Sequence, residues 1–373
     1  MRKKIKSRKT NKTDTKKALK MLVASLCFGL FTIVIILIAK NSPKFTNGIY
    51  SKWSVWMMDT MSKAFSFVKF SVAEILIYLL AIILTVSLII LIKNLIKNRG
   101  RLGRLFKFIT AWLLVLSIGI FLFYSMWGCM YYSDGLTGEL ILEVKDREVE
   151  ELIALNKYLI EKANQLSTEV KRNEQGYYTG NEFNEMARLS AKAVSDFTNK
   201  QEALPKYVIA SNAWSYTQTT GIFTFLTGEA NINSNNLAIA VPFTCAHELA
   251  HRNGITSEDE ANFFAFYTLI KSDNINMRYS AYSMALIFSM NSLYSKDAQS
   301  HRQLSELYSD HLRNDYDRYS EHWDRYDGKV AEISDKANDA YLKAQGETDG
   351  VQSYGKVTDI LLAWYEKDID SSN

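Results

Sequence analysis

Three long stretches of this chain carry no charged side chain at all. They are Met21 to Ala39 (19 residues), Ile75 to Ile92 (18 residues) and Phe108 to Ser133 (26 residues). Each is long enough to cross a hydrocarbon layer of about 30 Å as a helix, so three transmembrane helices are expected, at about 21–39, 75–92 and 108–132. One such run could be a core helix of a soluble protein, but three in succession leave little room for that reading. The first does not look like a cleaved signal peptide, because no small-x-small site follows it. Leu26 before Cys27 also argues against a lipoprotein processing site.

Charge orients these spans. Residues 1–20 hold ten Lys/Arg and one acid, Asp14, and residues 93–107 hold six Lys/Arg and no acid, whereas the connection 40–74 holds only five Lys. Positive residues favour the cytoplasmic side, so the tail 1–20 and the second connection are expected inside and everything after Ser133 outside. The net charge of +4 conceals a division. Residues 1–132 carry 21 basic and 3 acidic side chains, and residues 133–373 carry 23 basic and 37 acidic. An acidic outer domain does not suit nucleic acid, and the basic tail next to a span suits the anionic inner leaflet of a lipid bilayer.

The outer part, residues 134–373, contains His247-Glu248-Leu249-Ala250-His251 followed by Ser257-Glu258-Asp259-Glu260-Ala261-Asn262. Two histidines four apart lie on one helix face, one turn along, where both rings can reach a single Zn²⁺. Only five histidines occur in the chain, and two fall in this spacing. The glutamate directly after the first histidine can take a proton from a water at the metal. Pro242 marks a helix start, with Thr244 or a neighbour as cap, and Gly254 marks its stop. Ser257 then caps a second helix that turns back toward the first and brings a carboxylate as third ligand. Glu258 and Asn262 share a face of that helix while Glu260 points elsewhere, so Glu258 is expected to bind the metal. Asn262 is expected to hold a histidine by its other ring nitrogen. Ala261 and Ala265 suit close packing, and Asp259 serves only the helix dipole.

These residues resemble the gluzincin pattern, a histidine pair with Glu-x-x-x-Asp/Asn on the next helix. The stretch from Phe225-Leu-Thr-Gly-Glu-Ala-Asn-Ile-Asn233 through Pro242-Phe-Thr to Ala265 looks closer to one bacterial family. It consists of three-span membrane proteins with a zinc-protease motif, known only as a domain of unknown function. The likeness extends over most of the chain, including Tyr354-Gly-Lys-Val-Thr-Asp359. Two departures bear on the third ligand: the spacer from His251 to Glu258 is shorter than in thermolysin-like enzymes, and Asn262 stands for the usual Asp. The resemblance implies a zincin-like domain and a peptide or protein substrate outside the membrane.

The remaining pattern indicates an α+β domain, mostly helical with a small sheet, preceded by the three-helix transmembrane region. Amphipathic helices are expected between Asp134 and Arg172 and from Phe183 to Thr198. Strands are expected at Lys206–Ala210, Gly221–Leu226 and Leu237–Val241, with Gly228 to Asn236 as a loop, and helices from the motif to the end. Met277 to Leu293, interrupted by Arg278 and Asn291, is expected as a buried helix and not a fourth span. Gly221–Leu226 is expected to be an open edge that pairs with an extended peptide, through Thr224 and Phe225. Glu229 either lines the cleft or caps a turn. Tyr279 and Tyr282 are expected to pack, and His301, His311 and His322 to be solvated or hydrogen-bonded. The three cysteines give no disulfide framework, and Cys245 is expected buried and off the ligand face.

Overall fold

The computed structural model describes residues 2–97, 101–140, 142–145, 147–345 and 354–369, with residues 2–12, 97, 139, 354 and 355 described by backbone alone. The chain forms two compact units, one of residues 1–57 and 72–133 and the other of residues 58–71 and 134–373.

The first unit is helical. Helix α1 (Arg2–Asn41) is followed by a helical turn at Lys44–Tyr50 and by α2 (Ser51–Phe65), whose last turns belong to the second unit. Helices α3 (Val72–Lys97) and α4 (Arg101–Met126) complete it, with a tight helical turn at Gly128–Tyr132. Three stretches are long and apolar enough to cross a membrane: Thr13–Asn41, Val72–Ile96 and Arg101–Met126. Their outward surfaces are apolar, with Leu26, Ile77, Ile83 and Leu116 all exposed, which suits hydrocarbon and not water. Asp14 near the start of α1 reaches Lys107 at 3.4 Å and Arg104 at 3.9 Å near the start of α4, so the two helices run side by side in the same direction. The third span ends as a helix at Met126, short of residue 132. The backbone leaves the helix at Trp127 (φ −147°, ψ −41°), and Gly128 beyond it packs closely on the Phe123 ring, where a Cβ would lie 2.5 Å away.

The connection 40–74 does more than join two spans. Residues 58–71 are built into the second unit: the Ser71 N–H donates to Tyr207 O at 3.0 Å and Phe70 forms a parallel bridge with Tyr207. One compact unit lies on one side of any membrane its chain crosses. Residues 58–71 and 134–373 are therefore on the same side, as the two intervening apolar helices require.

The second unit contains α5 (Gly135–Glu139), α6 (Val149–Glu169), α7 (Phe183–Thr198), β1 (Lys206–Tyr207), α8 (Ser211–Ser215), β2 (Gly221–Thr224), β3 (Glu229–Ile232), α9 (Val241–Arg252), α10 (Glu258–Leu269) and α11 (Ile275–Lys296). Helices α12 (Ala298–Ser305), α13 (Asp310–Asp324), α14 (Lys329–Ala344) and α15 (Tyr354–Asp368) follow. It is mostly helical with one small sheet. The core lies where α6, α7, α9, α10, α11 and α15 meet, around Leu155, Leu159, Phe263, Phe266, Met277 and Leu361, all fully buried. Helix α7 has the expected bounds. Met277–Leu293 sits in the middle of buried α11, and the regular elements after the motif are all helices among the described residues. Of the carboxy-terminal stretch quoted above, the side chains of Tyr354 and Gly355 lie outside the described residues.

The sheet has the order β1-β3-β2, with β1 parallel and β2 antiparallel to the central β3. This corrects two expectations. Leu237–Val241 is not a strand: Leu237 O accepts the Ala240 and Val241 N–H groups at 2.9 and 3.2 Å, a turn that leads into α9. The central strand instead comes from the stretch read as loop. Most of its buried polar groups have partners: Glu229 pairs with Lys206, and Asn231 Nδ2 donates to Ile222 O and Thr224 Oγ1 at 3.1 and 3.0 Å, while Asn231 Oδ1 is buried without a partner among the described residues. The expected first strand shrinks to Lys206–Tyr207.

Candidate metal centre

Pro242 lies in the first turn of α9 and supplies the preset backbone angle of a helix start. No side chain caps this helix, and Thr244 sits inside it, a correction to its expected role. Gly254 ends the helix with a positive φ of 97°, a conformation that costs glycine little. Ser257 occupies the N-cap position of α10, but its side chain makes no capping bond, a correction to the cap expected there; Glu258, Asp259 and Glu260 fill the first turn. Ala261 and Ala265 are fully buried where the two helices pack.

This packing brings His247, His251 and Glu258 together. The two histidine Nε2 atoms are 3.1 Å apart, Glu258 Oε2 is 3.2 Å from His247 Nε2, and Glu258 Oε1 is 3.5 Å from His251 Nε2. Bonds of about 2.0–2.2 Å arranged tetrahedrally around zinc put neighbouring ligand atoms roughly 3.3–3.5 Å apart. The triangle has nearly that size.

The outer ring nitrogens are committed elsewhere. His251 Nδ1 lies 2.8 Å from Ile255 O, and a carbonyl only accepts, so this nitrogen carries the hydrogen. His247 Nδ1 lies 2.9 Å from Asn262 Oδ1 and donates to it in the same way. In the neutral rings both Nε2 lone pairs then face each other and the carboxylate. Such a donor set fits a divalent cation that takes nitrogen and oxygen ligands.

Local electrostatics agree. Burial opposes a charge on His247, yet the hydrogen bond and charge of Glu258 outweigh it and push its pKa up to about 9. Burial lowers that of His251. Glu258 is held at about 2, because the attraction of His251 and His247 overcomes burial. The trio favours one added positive charge.

Glu248 is buried against the same face, and burial drives its pKa up to about 8. The Phe223 N–H donates to its carboxylate. Gly221 lies closer still: a Cβ there would be 2.6 Å from Glu248 Oε1, 2.8 Å from its Cγ and 2.9 Å from Thr244 Cγ2. Strand β2 therefore touches the metal helix through a residue that has to be glycine. Its other edge is not paired with a strand among the described residues. Thr224 ends the strand with its hydroxyl bonded to Asn231, and Phe225 lies in the turn beyond it.

Glu260 is engaged away from the trio. Its carboxylate accepts the Leu136 and Thr137 N–H groups at 2.9 Å each and the Thr137 hydroxyl at 2.7 Å. Asp259 is buried. Cys245 is fully buried, and burial pushes its thiol pKa well up. Glu229 neither lines a cleft nor caps a turn, being paired with Lys206 inside the sheet. Tyr279 donates to Asp315, and Tyr282 lies against Tyr158. His301 meets the Tyr294 ring edge to face, and His322 lies edge-on to Trp323 and tilted against Tyr326. One nitrogen of each, His301 Nδ1 and His322 Nε2, is buried without a partner among the described residues, where solvation or hydrogen bonding was expected.

Sequence reasoning missed Gly221, the Phe223 amide and Ile255. A glycine opening a strand just ahead of the motif was a usable signal. Backbone groups carry none. It also missed Arg252, whose buried guanidinium, next to His251, pairs with Asp59 on α2.

An apolar three-helix region followed by a helical domain with a paired-histidine site defines the class. The chain belongs to a family described as a protein of unknown function, DUF3810, whose model matches residues 45–362. No curated protein and no solved structure matches it significantly.

Proposed function

We propose that this protein is a membrane-anchored zinc metallopeptidase whose catalytic unit lies outside the cytoplasmic membrane and hydrolyses peptide bonds. The observation that carries the reading is the triangle of His247, His251 and Glu258, with edges of 3.1 to 3.5 Å and Glu248 one residue along. A structural metal site needs only ligands. The buried carboxylate beside them, fixed by the Phe223 N–H, is what hydrolysis adds.

His247, His251 and Glu258 would hold the zinc, and Asn262 and Ile255 O keep the rings in the right tautomer. The ion supplies Lewis acidity to the scissile carbonyl and acidifies water. Glu248 takes the proton of the attacking water and returns it to the leaving amine. Apart from the Phe223 N–H, which bonds Glu248, the outer edge of β2 offers backbone groups to an extended peptide. The acidic balance beyond Ser133 and the basic residues at 1–20 and 93–107 support the outward placement. A cysteine introduced near residue 330 should then react with an impermeant reagent on intact cells, and one near residue 98 should not.

Glu248→Gln tests the chemistry. It preserves shape and metal ligands, so zinc content should hold while cleavage of a peptide library falls by about 10²–10⁴-fold. Unchanged cleavage would contradict the role of Glu248.

A further inference from the structure

The two helices that carry the site are each held by chain lying next to a candidate span. On one side, Phe70, Tyr207, Ile232 and Gly221 form a single rung: Phe70 bridges Tyr207, Tyr207 registers with Ile232, and Ile232 with Gly221. Gly221 abuts Glu248, and Phe70 stands two residues before Val72, where the second apolar helix begins. Lys206 Nζ also donates to Phe65 O at 2.7 Å, and Arg252 pairs with Asp59. On the other side, Glu260 on α10 grips the backbone of Leu136 and Thr137, only about ten residues after the third apolar helix ends at Met126. Gly135 makes this grip possible, for a Cβ there would lie 2.5 Å from the Glu260 carboxylate.

These links set an upper limit on how far the site stands from the bilayer. Three strand spacings of about 4.8 Å separate Phe70 from Gly221, and two extended residues add about 7 Å. Glu248 is thus within roughly 25 Å of the start of the second span, however the unit is turned. A folded unit of this size measures roughly 45 Å across, so this chain bound keeps the site from the end of the unit farthest from the second span. The segment making this link carries an exposed Phe67 between Lys63 and Lys69, and β1 is flanked by exposed Leu204 and Ile209, residue types that settle at a lipid interface.

Resting on the peptidase reading above, we infer that the substrate is a polypeptide anchored in the same bilayer and cut in the short stretch just outside it. A chain leaving the membrane reaches 25 Å in about eight extended residues. A substrate tethered at that distance meets the cleft at high effective concentration, whereas one joined through a long flexible arm spends most of its time elsewhere.

The test uses the full chain in zinc-containing proteoliposomes. A single-span substrate carries one cleavable sequence either about 8 or about 30 residues from its anchor, and the same sequence is offered as free peptide. Cleavage near the anchor should be at least about tenfold faster than at the distant position, and Glu248→Gln should abolish both. Equal or faster cutting at the distant position would overturn the inference and leave the peptidase reading intact. No Glu248-dependent cleavage in any arm would overturn both. A readout independent of activity is energy transfer from a fluorophore at Ile222→Cys to acceptor-labelled headgroups. A closest approach of about 25 Å or less is expected, and about 40 Å or more would refute the placement even if every peptide were cut.

Discussion

Two polar clusters in the second unit invite comparison. In one, Asp315 accepts from Arg172 at 3.0 and 2.9 Å, from the Tyr178 N–H at 2.9 Å and from the Tyr279 hydroxyl. Donors match acceptors, and charge is balanced within the protein. In the other, both Nε2 atoms and the Glu258 carboxylate converge on one another while the Nδ1 donors point outward to Asn262 and Ile255. Both clusters are largely withdrawn from water, although Glu258 keeps 35% of its side chain exposed, so burial alone does not separate structural from functional. What separates them is whether the groups satisfy one another or converge on a common point.

The comparison can be broken where each cluster is strongest. Arg172→Ala leaves Asp315 buried without its ion pair and should destabilise the fold by about 3–5 kcal/mol in denaturant titration. Metal content per folded molecule should be unchanged, and a loss of zinc in the folded fraction would mean the two clusters depend on each other.

A smaller effect is expected from Gly221→Ala. The added methyl meets both the carboxylate and the stem of Glu248, as well as Thr244, so the base must shift. Displacing it by about 1 Å should lower kcat by roughly 10²-fold with zinc retained. Wild-type turnover would show that β2 does not position Glu248.

The smallest effect belongs to Asn262→Ala, which removes the acceptor for His247 Nδ1 and should weaken zinc binding by about 10–100-fold in competition with a chelator. If affinity holds, Asn262 is not what orients the ring.

Sequence patterns revealed the parts that rest on local rules. Pro242, Gly254 and Ser257 delimit α9 and α10 through backbone preferences that act within a few residues, and helical spacing separates Glu258 from Glu260. The apolar runs were legible because hydrocarbon demands uniform side chains over a fixed length. Features that depend on distant partners were not. Strand β3 looks like a loop until Lys206 is there to pair with Glu229 and Ile222 O and Thr224 Oγ1 are there to accept from Asn231 Nδ2. Residues 58–71 look like a link until Tyr207 and Arg252 meet them. The contact between Gly221 and Glu248 joins residues whose meeting no periodicity encodes.

The central claim is that His247, His251 and Glu258 form one metal centre, and elemental analysis of the purified full chain tests it most directly. The account predicts about one zinc per chain, abolished by His247→Ala or His251→Ala, strongly reduced by Glu258→Ala and retained in Glu260→Ala. Zinc that persists without either histidine, or that follows Glu260 and not Glu258, would contradict it.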